Sequence, residues 1–246
     1  MSLPVAASCA LAGAAAGVLL PRAAHRLSVP AGTPPRPACE SCARPFPSGT
    51  AGWVRVGAAC RCGGRHPSPW STGPAAAVCA GILGWAVTPG PALAAYLVAA
   101  VFGVLLAAVD LRCLRLPDPL VATLAIGTVL PLAAVAVATG DPGRLGRAVA
   151  AGALCFGGYL LVALLPGGGL GLGDVKLAAV LGFLLGWAGW PAVLLGLLVP
   201  HLLNGPVALF LLATGRAGRR SALPLGPALL AGALIAVAAT AGGGAQ

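Results

Sequence analysis

The chain has 246 residues, of which 59% are hydrophobic and only 8% charged, and it carries a net charge of +10. A soluble domain has about 25% charged residues, so the composition excludes a soluble domain and indicates an integral membrane protein. In a soluble protein such a basic excess would suggest nucleic acid; between apolar runs it marks topology, and no nucleic-acid partner is expected.

In chain order, eight apolar segments are predicted to form an all-α, polytopic transmembrane bundle: residues 3–20, 74–88, 92–109, 119–138, 147–165, 175–188, 191–213 and 222–240. The first lacks the basic leading region of a secretory signal and is read as a span. Residues 21–73 are the one long polar segment, rich in Pro, Gly and Arg, and hold four of the eight Cys. They are expected to form a small extramembrane module, with residues 74–246 as the main transmembrane domain. Gly152, Gly157, Gly158, Gly182 and Gly186 within the spans suggest close helix packing.

Placing the module in the cytoplasm and letting eight spans alternate assigns thirteen basic residues to the inner side: Arg22, Arg26, Arg36, Arg44, Arg55, Arg61, Arg65, Arg112, Arg115, Lys176, Arg216, Arg219 and Arg220. The outer side receives Arg144 and Arg147 alone. Positive charge concentrates on cytoplasmic loops, so this arrangement predicts both termini outside the plasma membrane.

Five carboxylates occur, and in so apolar a chain each needs a reason. Glu40 belongs to the Cys module, and Asp141 in TGDPGR suits a turn. Asp118, between Pro117 and Pro119, suits a helix N-cap. Asp110 ends the apolar run AVFGVLLAAVD, where an ion pair with Arg112 or Arg115 is the simple explanation. Asp174 lies in PGGGLGLGDVKLAAVLG, whose glycines let the backbone bend and let another chain approach; capping of the next span is the alternative. Together, Asp110 and Asp174 fall at one membrane depth on the same predicted side. Two carboxylates around a water can hydrolyse a peptide, one ionised to take a proton and one protonated to give one. No nucleophilic Ser motif or HExxH motif competes, and His25, His66 and His201 are read as structural.

The stretches that carry this pair resemble those of the prepilin peptidases, or type IV prepilin leader peptidases. DLRCLRLPDPL, Asp110 to Leu120, is similar to the family's first catalytic segment, and GLGDVKL, Gly171 to Leu177, to its GxGD segment with a following Lys. LPLGPALLAG, Leu223 to Gly232, is similar to a C-terminal Pro-x-Gly-Pro segment. GxGD also occurs in presenilins and signal peptide peptidases, but their Tyr-Asp motif is absent, since Val109 precedes Asp110. The resemblance implies an aspartic endopeptidase that removes a basic leader from prepilins or pseudopilins at the cytoplasmic face of the inner membrane. It implies Asp110 and Asp174 as catalytic residues, with Gly171, Gly173 and Lys176 as candidates to support the site or grip substrate. A general GxGD intramembrane protease is the alternative enzyme; a small transporter would need its acids nearer the midplane.

Cys39 and Cys42 form a CxxC pair, and Cys60 and Cys62 a CxC pair. Four thiolates in two close pairs suit a structural Zn, with His66 a possible replacement for one, and a cytoplasmic location disfavours disulfides. Bifunctional prepilin peptidases carry a similar module, usually with CxxC twice, and methylate the new N-terminus from S-adenosylmethionine. The shorter second pair here, and the loose match of LLPRAAHRL to the family's first-span signature, leave methyl transfer open. Cys9, Cys79, Cys113 and Cys155 are read as small apolar residues.

Overall fold

A computed structural model of the chain describes residues 3–30, 32–62, 64, 67–165, 170–214 and 224–241. Arg65, His66, Gly167, Gly168, Gly169, Arg216, Arg219, Arg220 and Leu223, all invoked above, lie outside the described residues. Among the described residues the fold is all-helical, with one isolated bridge between Ala38 and Pro45.

Helix α1 (Leu3–Gly17) bends by 49° into the short α2 (Leu20–Leu27). Helices α3 (Pro69–Ala86), α4 (Pro91–Cys113), α5 (Asp118–Thr139) and α6 (Pro142–Leu164) follow, then α7 (Leu172–Ala188), α8 (Trp190–Ala213) and α9 (Gly226–Thr240). Most have Pro in the first turn, where its missing N–H costs nothing. Four are long and apolar enough to cross a membrane: α4, α5, α6 and the Trp190–Val207 part of α8; the bent pair α1 and α2 makes a fifth. Of the eight crossings expected from the sequence, length and composition alone support four or five among the described residues. At 17 and 15 residues, α7 and α9 reach about 26 and 23 Å, short of a hydrocarbon core roughly 30 Å thick.

Helices pack in sequential pairs, α1 on α3, α4 on α5, α6 on α7 and α8 on α9. At the α6–α7 contact, a Cβ on Gly182 would lie 2.7 Å from Cys155 Sγ, and one on Gly186 2.6 Å from Ala151 Cβ. Gly152 faces the same contact, whereas Gly157 and Gly158 have open space where a Cβ would go; the close-packing expectation is corrected for those two. Helix α7 is the innermost element, with Val175, Leu177 and Trp187 almost wholly buried. It is held at both flanks. Tyr96 Oη on α4 donates to Leu184 O at 2.8 Å, and the guanidiniums of Arg144 and Arg147 on α6 donate to Trp187 O and Gly186 O at the helix's C-terminal end. There they satisfy orphan carbonyls and meet the negative end of the helix dipole. Large apolar side chains such as Leu130, Val137, Leu154 and Leu161 face outward on α5 and α6, as a lipid environment allows.

The polar segment opens with a helix, because α2 has two faces: Leu20 and Ala24 pack on Leu105 and Val109 of α4, while Arg22 and Arg26 turn to the module. Arg22 donates to Ala59 O and Ala51 O, and Arg26 to Arg36 O and Gly52 O. Arg26 also stacks 4.0 Å above the Trp53 ring. Arg115, after α4, donates to Val29 O and Pro30 O, so the neck of the module is fastened to the loop that follows Asp110.

Candidate active site

Asp110 lies in the last turn of α4, 4% exposed. Helix α4 stops at Leu114, which takes a left-handed conformation (φ 51°, ψ 44°) and donates its N–H to Asp110 O at 2.8 Å. This turn sends Leu116 back beneath the helix end, against α7 and α9. Had Gly173 a Cβ, it would lie 3.0 Å from Leu116 Cβ; a Cβ on Gly226 would lie 3.3 Å from Leu116 Cδ2 and 2.8 Å from Asp110 Oδ2. Three chain segments thus meet at Leu116: the end of α4, the start of α7 and the start of α9.

Gly226 N–H donates to Asp110 Oδ2 at 3.1 Å in a buried setting. A backbone donor to a carboxylate is charge-assisted and fixes the orientation of the acid. Gly226 belongs to the Pro-Leu-Gly-Pro sequence noted earlier, but sequence reasoning did not place it at the site. The juxtaposed Gly-Pro was the available signal, since Gly allows the approach and Pro starts α9.

Asp174 sits in the first turn of α7, and its N–H bonds Gly171 O at 3.0 Å. Gly171 occupies the N-cap and no side chain caps the helix, so Asp174 is not the cap considered above. Its Oδ1 is buried and has no hydrogen-bond partner among the described residues, and the group feels the charge of Asp110. A Cβ on Gly171 would approach Asp174 Oδ2 at 3.3 Å. Tyr159 on α6, whose hydroxyl is likewise buried and unpartnered among the described residues, is within electrostatic range of Asp174. It carried no sequence signal. The two carboxylates come from different helices, meet at one end of the bundle, and have no cation paired to them in the ion pairs among the described residues.

Two other expectations change. Asp118 is the first residue of α5 rather than its N-cap; Pro117 takes that position, with no side-chain capping bond. Asp118 Oδ1 instead accepts from Lys176 Nζ at 2.8 Å. Lys176, a candidate for gripping substrate, thus ties the start of α7 to the start of α5. Asp141 is a true N-cap, accepting from the Arg144 N–H at 2.9 Å. His201 is exposed with Nδ1 2.7 Å from Leu197 O, and His25 is buried with its ring nearly perpendicular to that of Phe46.

In the module, the Sγ atoms of Cys39, Cys42, Cys60 and Cys62 all lie within 4.8 Å of one another, with Cys39–Cys62 and Cys42–Cys60 at 3.6 Å. None of the cysteines forms a disulfide. Tetrahedral Zn with bonds of about 2.3 Å holds its sulfurs roughly 3.8 Å apart, so these four could hold an ion such as Zn. The Cys62 backbone N–H, with help from the other thiols, holds the Cys60 thiol down to about 7. The Arg44 backbone N–H pulls Cys42 the same way, but burial and the three neighbouring thiols outweigh it and push Cys42 up to about 11. The Cys60 proton is therefore the easily lost one, whereas Cys42 keeps its own until a cation compensates the charge.

A profile of the type IV leader peptidase family matches residues 97–205, which include Asp110, Asp174 and Lys176. That stretch is similar to the type IV leader peptidase family. Neither curated proteins nor solved structures give a match to the chain. Gly226 and the Cys module lie beyond the matched segment, which includes most of the helices long and apolar enough to cross a membrane.

Proposed function

We propose that the protein is a membrane aspartic endopeptidase that removes the leader from type IV prepilins or pseudopilins at the cytoplasmic face of the plasma membrane, with Asp110 and Asp174 as its catalytic pair. The observation that supports this reading is the convergence of the buried Asp110 from α4 and the half-buried Asp174 from α7 within electrostatic range of each other. In this mechanism one carboxylate is ionised and takes a proton from water, while the other is protonated and donates to the scissile carbonyl as the water attacks its carbon. Gly226 N–H steadies Asp110 through the cycle, the exposed Gly171 leaves room for an extended substrate strand beside Asp174, and Gly173 lets Leu116 approach the site. The Cys module holds a structural Zn, which stiffens the support beneath α2 and the loop after Asp110. The topology remains eight spans with both termini outside, the shorter α7 and α9 crossing within a bundle that shields their ends.

Co-expression with a prepilin and mass analysis of its N-terminus tests the reading. A product that begins just after the leader, ahead of the apolar helix, is expected; a cut within the apolar helix would instead favour a general GxGD intramembrane protease. An added methyl on that product would report S-adenosylmethionine-dependent transfer in the same measurement.

A further inference from the structure

A groove of about 620 Å³ runs along α4 from Tyr96 to Arg112, walled by α3 and α9 and closed at its outer end by α7. At 1.5 Å per residue that stretch of α4 is about 24 Å long, most of the roughly 30 Å hydrocarbon thickness and well beyond a single leaflet. Its floor is made of small residues, Ala99, Ala100, Gly103 and Ala107, which permit close approach of another helix backbone. The inner end turns polar at Ser68, Ser71 and Arg112. Neither carboxylate lines the groove, but that end comes within one residue of Asp110 on two helices: the lining residue Leu111 follows Asp110, and the lining residue Pro227 follows Gly226, whose N–H bonds Asp110.

We infer that this groove seats the apolar transmembrane helix of the substrate and delivers the peptide bond at its cytoplasmic end to Asp110. The inference rests on the leader-peptidase reading. An acyl chain would fill one leaflet's length, whereas a helix uses the whole groove. The change from apolar floor to polar rim then matches a substrate that is helical and apolar in the bilayer and becomes polar as it leaves beside the acid. Specificity for the membrane-spanning part of the substrate would reside here, apart from recognition of the leader.

Two measurements decide it. Ala99 lies about 16 Å along α4 from Asp110, so Ala99→Trp fills the groove without touching the acids. With a model prepilin of leader plus apolar helix in membranes, Ala99→Trp should lose about tenfold or more in kcat/KM, carried by KM, while a peptide ending before the apolar helix should be cleaved as by the unaltered enzyme. Equal cleavage of the helical substrate by both enzymes overturns the proposal. Independently, Cys79 lines the groove. Single cysteines along the apolar helix of the model prepilin should form oxidative cross-links to it only at the position level with Cys79 and within about one turn of it on the same face, and Cys79→Ala should abolish them. Absence of any Cys79 cross-link to a substrate that the unaltered enzyme cleaves overturns the proposal even if Ala99→Trp folds poorly, and is the result expected if lipid fills the groove. If the unaltered enzyme cleaves neither substrate, the leader-peptidase reading fails, and the depth-restricted Cys79 cross-link still reports the groove separately.

Discussion

A hydrogen is the largest substituent that its surroundings accept at Gly226. A methyl there would lie 2.8 Å from Asp110 Oδ2, so Gly226→Ala must shift the acid or the start of α9. Displacement of a catalytic group by about 1 Å can cost on the order of 100-fold, and a loss of that size in leader cleavage, with normal membrane insertion, is expected. Retained activity would mean that the Asp110–Gly226 bond does not position the acid. Leu114 offers the opposite test. Its left-handed backbone costs a residue with a Cβ about 1 kcal/mol, so Leu114→Gly should raise thermal stability in detergent by about that amount; a clear drop would show that its half-exposed side chain matters more than its backbone. The acids themselves were legible in the sequence because a carboxylate in so apolar a chain is costly and there are only five. Gly226 was not, since a donor on the backbone has no letter of its own and its partner lies 116 residues away.

Between elements, the Asp118–Lys176 bond joins α5 to α7 just outside the carboxylate pair. Both groups are substantially exposed, 68% and 47%, so the pair contributes no more than about 1 kcal/mol to stability. Its value is positional. Asp118→Asn and Lys176→Gln should reduce cleavage by similar factors, and the double variant by no more than either alone. A markedly larger effect of Lys176→Gln would return Lys176 to the role of gripping substrate. Each charge was visible in the sequence, but their pairing across 58 residues was not; capping logic put Asp118 on its own helix, where Pro117 already holds the N-cap. Helix α2 was missed for a related reason: eight residues with two Arg and a His read as polar chain until α4 supplies the apolar wall that its other face covers. The α6–α7 glycines were legible at Gly152, Gly182 and Gly186, whose neighbours lie on the packed face, and misleading at Gly157 and Gly158, which lie on the exposed one.

For the whole molecule, hydropathy located every long helix among the described residues but carried no information on helix length, so the 17-residue α7 read the same as the longer spans. The basic residues read as topological markers also turn out to be joints: Arg22, Arg26 and Arg115 fasten the Cys module to the carbonyls around it. On the proposed Zn occupancy of the Cys module, chelation should loosen α2 and the Arg115 contact, increase proteolysis between residues 30 and 68, and reduce cleavage without removing the acids. Unchanged proteolysis on chelation would detach the module from the site's support. The account as a whole depends on Asp110 and Asp174 acting as one unit, and the most direct measurement is leader cleavage in membranes by Asp110→Asn, Asp174→Asn and the double variant at matched expression. Each single change should abolish cleavage as fully as the double change; substantial cleavage by either single variant would contradict the account.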